Sequence, residues 1–216
     1  MQQQFKKAML QKMFPKKDAK VPEIRFAGFE DEWEEKKLAS LAEYSNGVGN
    51  EKKQTPSGKY ELVNLNSISI DGRLKTSNKF VDIAEKTLKI NDIVMILSDV
   101  GHGYLLGKTA LIRKNNYYVL NQRVALLRAN ISVSPVFLNI ILNKNQSYFR
   151  LQGAGMSQLN LSKKSVEDFV ALYPSLPEQQ RIGSFFKSLD DQISELEAKL
   201  SQTKQFKQAL LQKMFI

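Results

Sequence analysis

The last forty residues of this 216-residue chain constrain its fold more than any other stretch. After Pro177 there is no further proline and Gly183 is the sole glycine. Apolar residues fall at alternating spacings of four and three: Ile182, Phe186, Leu189, Ile193, Leu196 and Leu200, then Leu210 and Met214, with Thr203 and Lys207 as the only breaks. This is the seam of a coiled coil, and at 1.5 Å per residue it predicts one helix of roughly 58 Å. A single apolar stripe on so long a helix needs another helix to cover it. Ser175-Leu176-Pro177-Glu178 predicts a capping box at its start, the Ser hydroxyl and the Glu carboxylate satisfying free backbone N–H groups.

The end of that helix is used twice. Residues 4–14, QFKKAMLQKMF, match residues 205–215, QFKQALLQKMF, at nine of eleven positions. Phe5, Met9 and Met13 hold the places of Phe206, Leu210 and Met214, so the N-terminus reads as the tail of an equivalent helix, stopped by Pro15. Residues 1–20 are therefore the end of a preceding helix plus a charged linker, residues 21–173 a globular domain, and residues 174–216 the long helix.

Charge points to an acidic partner. The formal net charge is +10 and the pI about 9.6, a balance that suits nucleic acid. Residues 1–20 carry +5 and residues 174–216 carry +1, leaving +4 for the middle, so a nucleic-acid surface there must come from local clustering. The absence of cysteine rules out disulfides and thiolate metal sites. With no signal peptide and no apolar run long enough for a bilayer, the expectation is a cytoplasmic protein with no membrane partner.

Residues 21–173 mix β-like runs at Tyr60 to Leu65, Ile93 to Leu97 and Val119 to Leu127 with turn signals at Asp71-Gly72, Gly101 to Gly103 and Gly153 to Gly155. Glu35 to Ala42 and Pro135 to Arg150 are predicted helices. The fold class is α+β: one globular domain, then a long coiled-coil-forming helix, with a short N-terminal helix remnant.

Enzyme motifs fail on inspection. Gly107-Lys108-Thr109 suggests a phosphate loop, yet the glycine required five residues earlier is His102. Glu197-Ala198-Lys199 resembles half of a nuclease metal motif but sits on the polar face of the long helix without a Pro-Asp upstream. His102 is the only histidine, which excludes His-rich metal centres. No Asn-Pro-Pro-aromatic or Asp-Pro-Pro-aromatic run of the amino-methyltransferase type occurs. Trp33 reads as a core anchor.

Three segments taken in order resemble the specificity subunit of Type I restriction-modification enzymes: PEIRFAGFEDEWEEKKL at 22–38, GAGMSQLNLSKKSVEDF at 153–169 and LPEQQRIGSFFKSLDDQISELEAKL at 176–200. The helix entrance reads Leu176-Pro177-Glu178-Gln179-Gln180, a small variation on the family's pattern. The chain looks like a second half of such a subunit, or a half-subunit, with one target recognition domain where the family usually carries two. The resemblance implies a non-catalytic, sequence-specific DNA-binding chain that reads one half of a bipartite site. It places S-adenosylmethionine, ATP and Mg on partner subunits and none on this chain. Its implied partners are double-stranded DNA, Type I modification (methyltransferase) subunits and, through the complex, restriction subunits. A non-catalytic helical adaptor without specific readout, and a DNA-modifying enzyme with an unfamiliar site, are the alternatives.

A reader of duplex DNA needs Arg, Lys, Asn and Gln on loops. The candidates are Lys52, Lys53 and Lys59; Arg73, Lys75 and Lys79; Asn121, Gln122 and Arg123; and, beside glycines that permit close approach, His102, Ser157 and Gln158. The candidate helix interface is Phe5, Met9, Met13, Ile182, Phe186, Leu189, Ile193, Leu196, Leu200, Leu210 and Met214. In the family's arrangement residues 4–14 run antiparallel to the start of the long helix, so that Phe5, Met9 and Met13 meet Ile182, Phe186 and Leu189. The tail of a second copy would then compete for the same groove, and a homodimer through the long helix follows as an alternative assembly.

Overall fold

The computed structural model describes residues 2–100, 103–155 and 158–214, with only the backbone of Val100 and Met214. In chain order the elements are α1 (Gln2–Lys12), β1 (Glu34–Lys37), β2 (Ala42–Asn46), β3 (Tyr60–Val63), β4 (Phe80–Val81), β5 (Ile93–Ile96), β6 (Ser98–Val100), β7 (Thr109–Leu111), β8 (Tyr118–Leu120), β9 (Val124–Ala129), α2 (Pro135–Lys144), α3 (Gln146–Gln152), β10 (Gln158–Asn160), α4 (Lys163–Glu167), β11 (Val170–Tyr173) and α5 (Leu176–Met214). Short 3₁₀ turns follow β1 and β3.

The Ile-Val-Met-Ile run of β5 is 0% exposed at every position, which requires cover on both faces of its sheet. Strand alternation sends Ile93 and Met95 into one core and Val94 and Ile96 into another. The first core lies under Phe137, Leu138 and Ile141 of α2, Phe149 of α3, and Ile182, Phe186 and Leu189 of α5. The second joins Val63 of β3 and Leu120 of β8. Between them runs an antiparallel sheet of order β2-β9-β5-β7. A smaller sheet, β4-β3-β8, has β3 and β8 parallel. Two ribbons, β1-β11 and β6-β10, complete the domain.

Two predicted helices are revised. Glu35 to Ala42 has good helix formers, but the chain there forms β1, a 3₁₀ turn and the start of β2. Pairing of Glu34 with Tyr173 and Lys37 with Val170 decides the matter, and the turn drops Leu38 and Leu41 into the core; tertiary partners override propensity. Pro135 to Arg150 is broken at Asn145, whose φ of −99° and ψ of 26° separate α2 from α3. The run from Val119 to Leu127 is likewise two strands, divided at residues 121–123. Gly107-Lys108-Thr109 leads into β7, not into a helix N-terminus.

α5 is one helix of 39 residues. Gly183 lets it cross α2 closely, since a Cβ there would lie 3.3 Å from Val136 Cβ. The predicted capping box does not form: Glu178 turns both carboxylate oxygens toward Arg25, which donates from Nε and Nη2 at 2.7 Å each. Glu178 is fully buried and the Arg25 side chain 12% exposed, and the carboxylate raises the Arg25 pKa. Buried Gln179 completes the joint, donating to the Pro174 carbonyl at 2.9 Å and accepting from Ser134 N–H at 3.0 Å.

Candidate nucleic-acid interface

Register places four strand ends together. Ile96 closes β5 opposite Val124, which opens β9; Asn46 closes β2 opposite Ala125; and Thr109 opens β7 opposite Met95. The loops leaving that end of the sheet carry part-buried Asn121 and exposed Lys52, Lys53, Gln122 and Arg123. Gln158 joins them because β10 pairs with β6 immediately beyond β5. Residues far apart in sequence thus form one polar surface.

That surface is cross-linked. Asn121 Nδ2 and Gln122 Nε2 donate to Glu51 Oε1 at 3.3 and 2.9 Å, and Asn50 N–H donates to Asn121 Oδ1 at 3.2 Å. Arg123 Nη1 donates to Gln158 Oε1 at 3.1 Å, while Gln158 Nε2 and Ser98 Oγ both donate to Asn160 Oδ1, at 3.0 and 2.7 Å. Gly47 permits the closure: a Cβ there would lie 2.1 Å from the Asn121 carbonyl oxygen. These amides and the guanidinium carry donors and acceptors of the kind that pair with base edges.

The remaining candidates scatter. Lys59 and Lys79 flank the β3–β4 pair, where Lys59 N–H donates to Asp82 Oδ1 at 3.2 Å and the Lys79 carbonyl accepts from Leu62 N–H at 2.8 Å. Lys75 is exposed on the hairpin that follows β3. Arg73, on the same hairpin, faces the long helix: it meets Glu197 Oε2 at 2.6 Å and Asp71 Oδ2 at 2.8 Å, and the Glu197 hydrogen bond is the main cause raising its pKa. His102 and Ser157 lie outside the described residues. Glu51, Ser98 and Asn160 were missed; only Asn160 carried a signal, as the last residue of Gln158-Leu159-Asn160. Tyr104, exposed, with the Arg150 guanidinium 5.3 Å from its ring centre, was also missed, since no spacing rule links residues 46 apart.

The helical surface has two parts. α1 runs antiparallel to α5: Gln2 meets Gln192 at 3.3 Å, Gln3 meets Glu197 at 2.9 Å, and Lys6 pairs with Asp190. Met13 and Phe14 are buried with Ile182, Phe186 and Leu189, and Met9 packs beside them. The Phe14 ring lies 5.7 Å from those of Trp33 and Phe137 and 6.1 Å from that of Phe186. Phe5 departs from the expected contact and is 47% exposed; at this end of α1 the contacts to α5 are the polar ones of Gln2, Gln3 and Lys6. Along α5, Ile193 is the last buried seam residue; Leu196, Leu200 and Leu210 are 50%, 56% and 45% exposed. The Met214 side chain lies outside the described residues.

Among the described residues no group of three His, Cys, Asp or Glu could hold a metal ion, and no helix is long and apolar enough to cross a membrane. Three solved structures that this fold resembles are of type I restriction-modification proteins. A chain from a type I R-M system, in a structure addressing complex assembly and conformational transition, superposes with a TM-score of 0.68 at 16% identity over 94% of this chain and 47% of that one. The HsdS subunit from Thermoanaerobacter tengcongensis gives 0.63 at 15% identity over 92% and 45%. The Type-I restriction-modification system S subunit from M. genitalium gives 0.61 at 19% identity over 80% and 42%. The chain thus spans less than half the length of each. A family model, described as the Type I restriction modification DNA specificity domain, matches residues 30–203. Since the match takes in β1 through most of α5, the chain belongs to that family.

Proposed function

We propose that this chain is the non-catalytic DNA-recognition component of a Type I restriction-modification complex and reads one half of a bipartite duplex site. The observation that carries the reading is the joining of Asn121, Gln122, Arg123 and Gln158 at one end of the four-stranded sheet, with Lys52 and Lys53 beside them. Side chains of this kind serve as base readers and the lysines as phosphate contacts. The exposed leucines of α5 form the second working surface, which pairs with helices of methyltransferase subunits and through them positions restriction subunits. In that division of labour S-adenosylmethionine, ATP and Mg belong to the partners. A symmetric homodimer through α5 is the second assembly that the apolar stripe supports.

A salt titration of duplex binding tests the first surface. The isolated chain should bind weakly with a clear negative slope of log affinity against log salt, close to 0.9 per phosphate contact in B-DNA, and modification subunits should sharpen its sequence preference. Binding without a salt slope, or tight site-specific binding by the chain alone, contradicts the proposal.

A further inference from the structure

A second basic region lies away from the recognition loops. A cleft of about 760 Å³ runs between β7, α2 and the paired helices α1 and α5. Lys108, from the residue preceding β7, and Lys144, the last residue of α2, both line it. Their chain neighbours are tied together there: Thr109 N–H donates to Asn143 Oδ1 at 3.1 Å, and Asn143 Nδ2 returns a bond to the Thr109 carbonyl at 3.0 Å. Lys108 is partly buried, Lys144 is exposed at the mouth of the cleft with its Nζ 5.6 Å from the centre of the Phe14 ring, and neither forms an ion pair among the described residues.

Taking an ammonium group partly out of water is costly, and desolvation lowers the pKa of both lysines, offset in part at Lys108 by the Asp71 carboxylate. Arg113 and Lys187, both exposed, add two more cations to the lining. The carboxylates of the cleft are largely spoken for: Asp190 pairs with Lys6, and Asp71 with Arg73. Only Asp191 lines it without an ion pair among the described residues. In the same wall Asn139 Oδ1 is buried with no hydrogen-bond partner. Rotating that amide by half a turn offers an N–H₂ donor in its place.

We propose that this cleft binds a phosphate oxyanion, with Lys108 and Lys144 as its principal cations and Arg113 and Lys187 at its rim. An anion here joins the sheet to α2 and α5, so it braces the globular domain against the long helix and couples the recognition surface to the helical one. The chemistry is common to a free polyphosphate and to a phosphodiester of DNA flanking the recognised word, and two arms separate these sources.

In the first arm the full chain is titrated calorimetrically with inorganic tripolyphosphate; in the second its affinity for a duplex with long flanks is followed against salt. Each is repeated with the Lys108→Gln/Lys144→Gln double variant and with Arg113→Gln alone, a surface change that leaves the core untouched. Tripolyphosphate binding by the wild type that weakens about tenfold or more in the double variant, and by less in Arg113→Gln, supports a free polyphosphate site. No tripolyphosphate binding, but a DNA salt slope that falls by roughly two in the double variant and by roughly one in Arg113→Gln, supports a flanking phosphodiester. Unchanged values in both arms for both variants overturn the proposal. The first arm stands apart from the reading of the recognition loops, so the failure of one is distinguishable from the failure of the other.

Discussion

Arg73 and Arg123 sit on surface loops of the same domain, and their partners give them different work. Arg73 is gripped by Glu197 and Asp71; Arg123 touches only the neutral oxygen of Gln158 among the interactions found for its side chain, which leaves its charge and most of its five donors for a ligand. Arg123→Ala should therefore relax the preference at one position of the DNA target by about 1–3 kcal/mol, as measured by competition between duplexes. Arg73→Ala should leave the preferred word unchanged and lower stability by about 0–1 kcal/mol, the range of a part-exposed ion pair. A change of target word in Arg73→Ala would show that the hairpin, not the sheet end, is the reader. Sequence alone treats the two arginines alike, because the carboxylate that separates them lies 124 residues away on α5.

At the scale of elements, the segments that carry the family resemblance turn out to be joints. Arg25 in Pro22-Glu23-Ile24-Arg25-Phe26 holds Glu178 at the start of α5, Phe26 meets Phe185 edge-on at 5.9 Å, and Gln179 ties α5 to α2. Removing one partner of a buried pair strands the other, so Arg25→Ala should cost about 3–5 kcal/mol in a denaturant melt; a cost below about 1 kcal/mol would mean that water reaches Glu178. The seam divides similarly. Leu189 and Ile193 are buried within the chain, so Ile193→Asp strains the fold as well as any assembly. Leu200→Asp is the cleaner variant and should abolish association with partner helices while the melting midpoint stays unchanged. Loss of folding in Leu200→Asp would place that residue in the chain's own core.

These joints also explain what could be read in advance. The period of α5, the burial of Trp33 and the strand at Ile93 to Leu97 follow from local pattern, since each is fixed by its own side chains. β1 does not, because Glu34 to Lys37 is held as a strand only by Val170 to Tyr173. The polar residues at that end of the sheet are legible one by one but not as a constellation: pairing of β6 with β10 is what brings Gln158 beside Arg123.

For the whole molecule the repeat sets the assembly question. Met13 and Phe14 fill a pocket among Trp33, Phe137 and Phe186, and residues 205–215 repeat the peptide that fills it. Deleting residues 1–14 opens this pocket to the tail of a second copy, so light scattering at matched concentration should show stronger self-association than in the full chain. Equal or weaker association would refute competition between the copies. Readout by the other surface is tested most directly by selection of bound duplexes from a randomised pool, with modification subunits present. The wild type should enrich one half-site word, Leu200→Asp should fail to assemble, and a Gln122→Ala/Arg123→Ala/Gln158→Ala variant should assemble yet lose that word. The same word enriched by the triple variant at undiminished strength would contradict the assignment of readout to this end of the sheet.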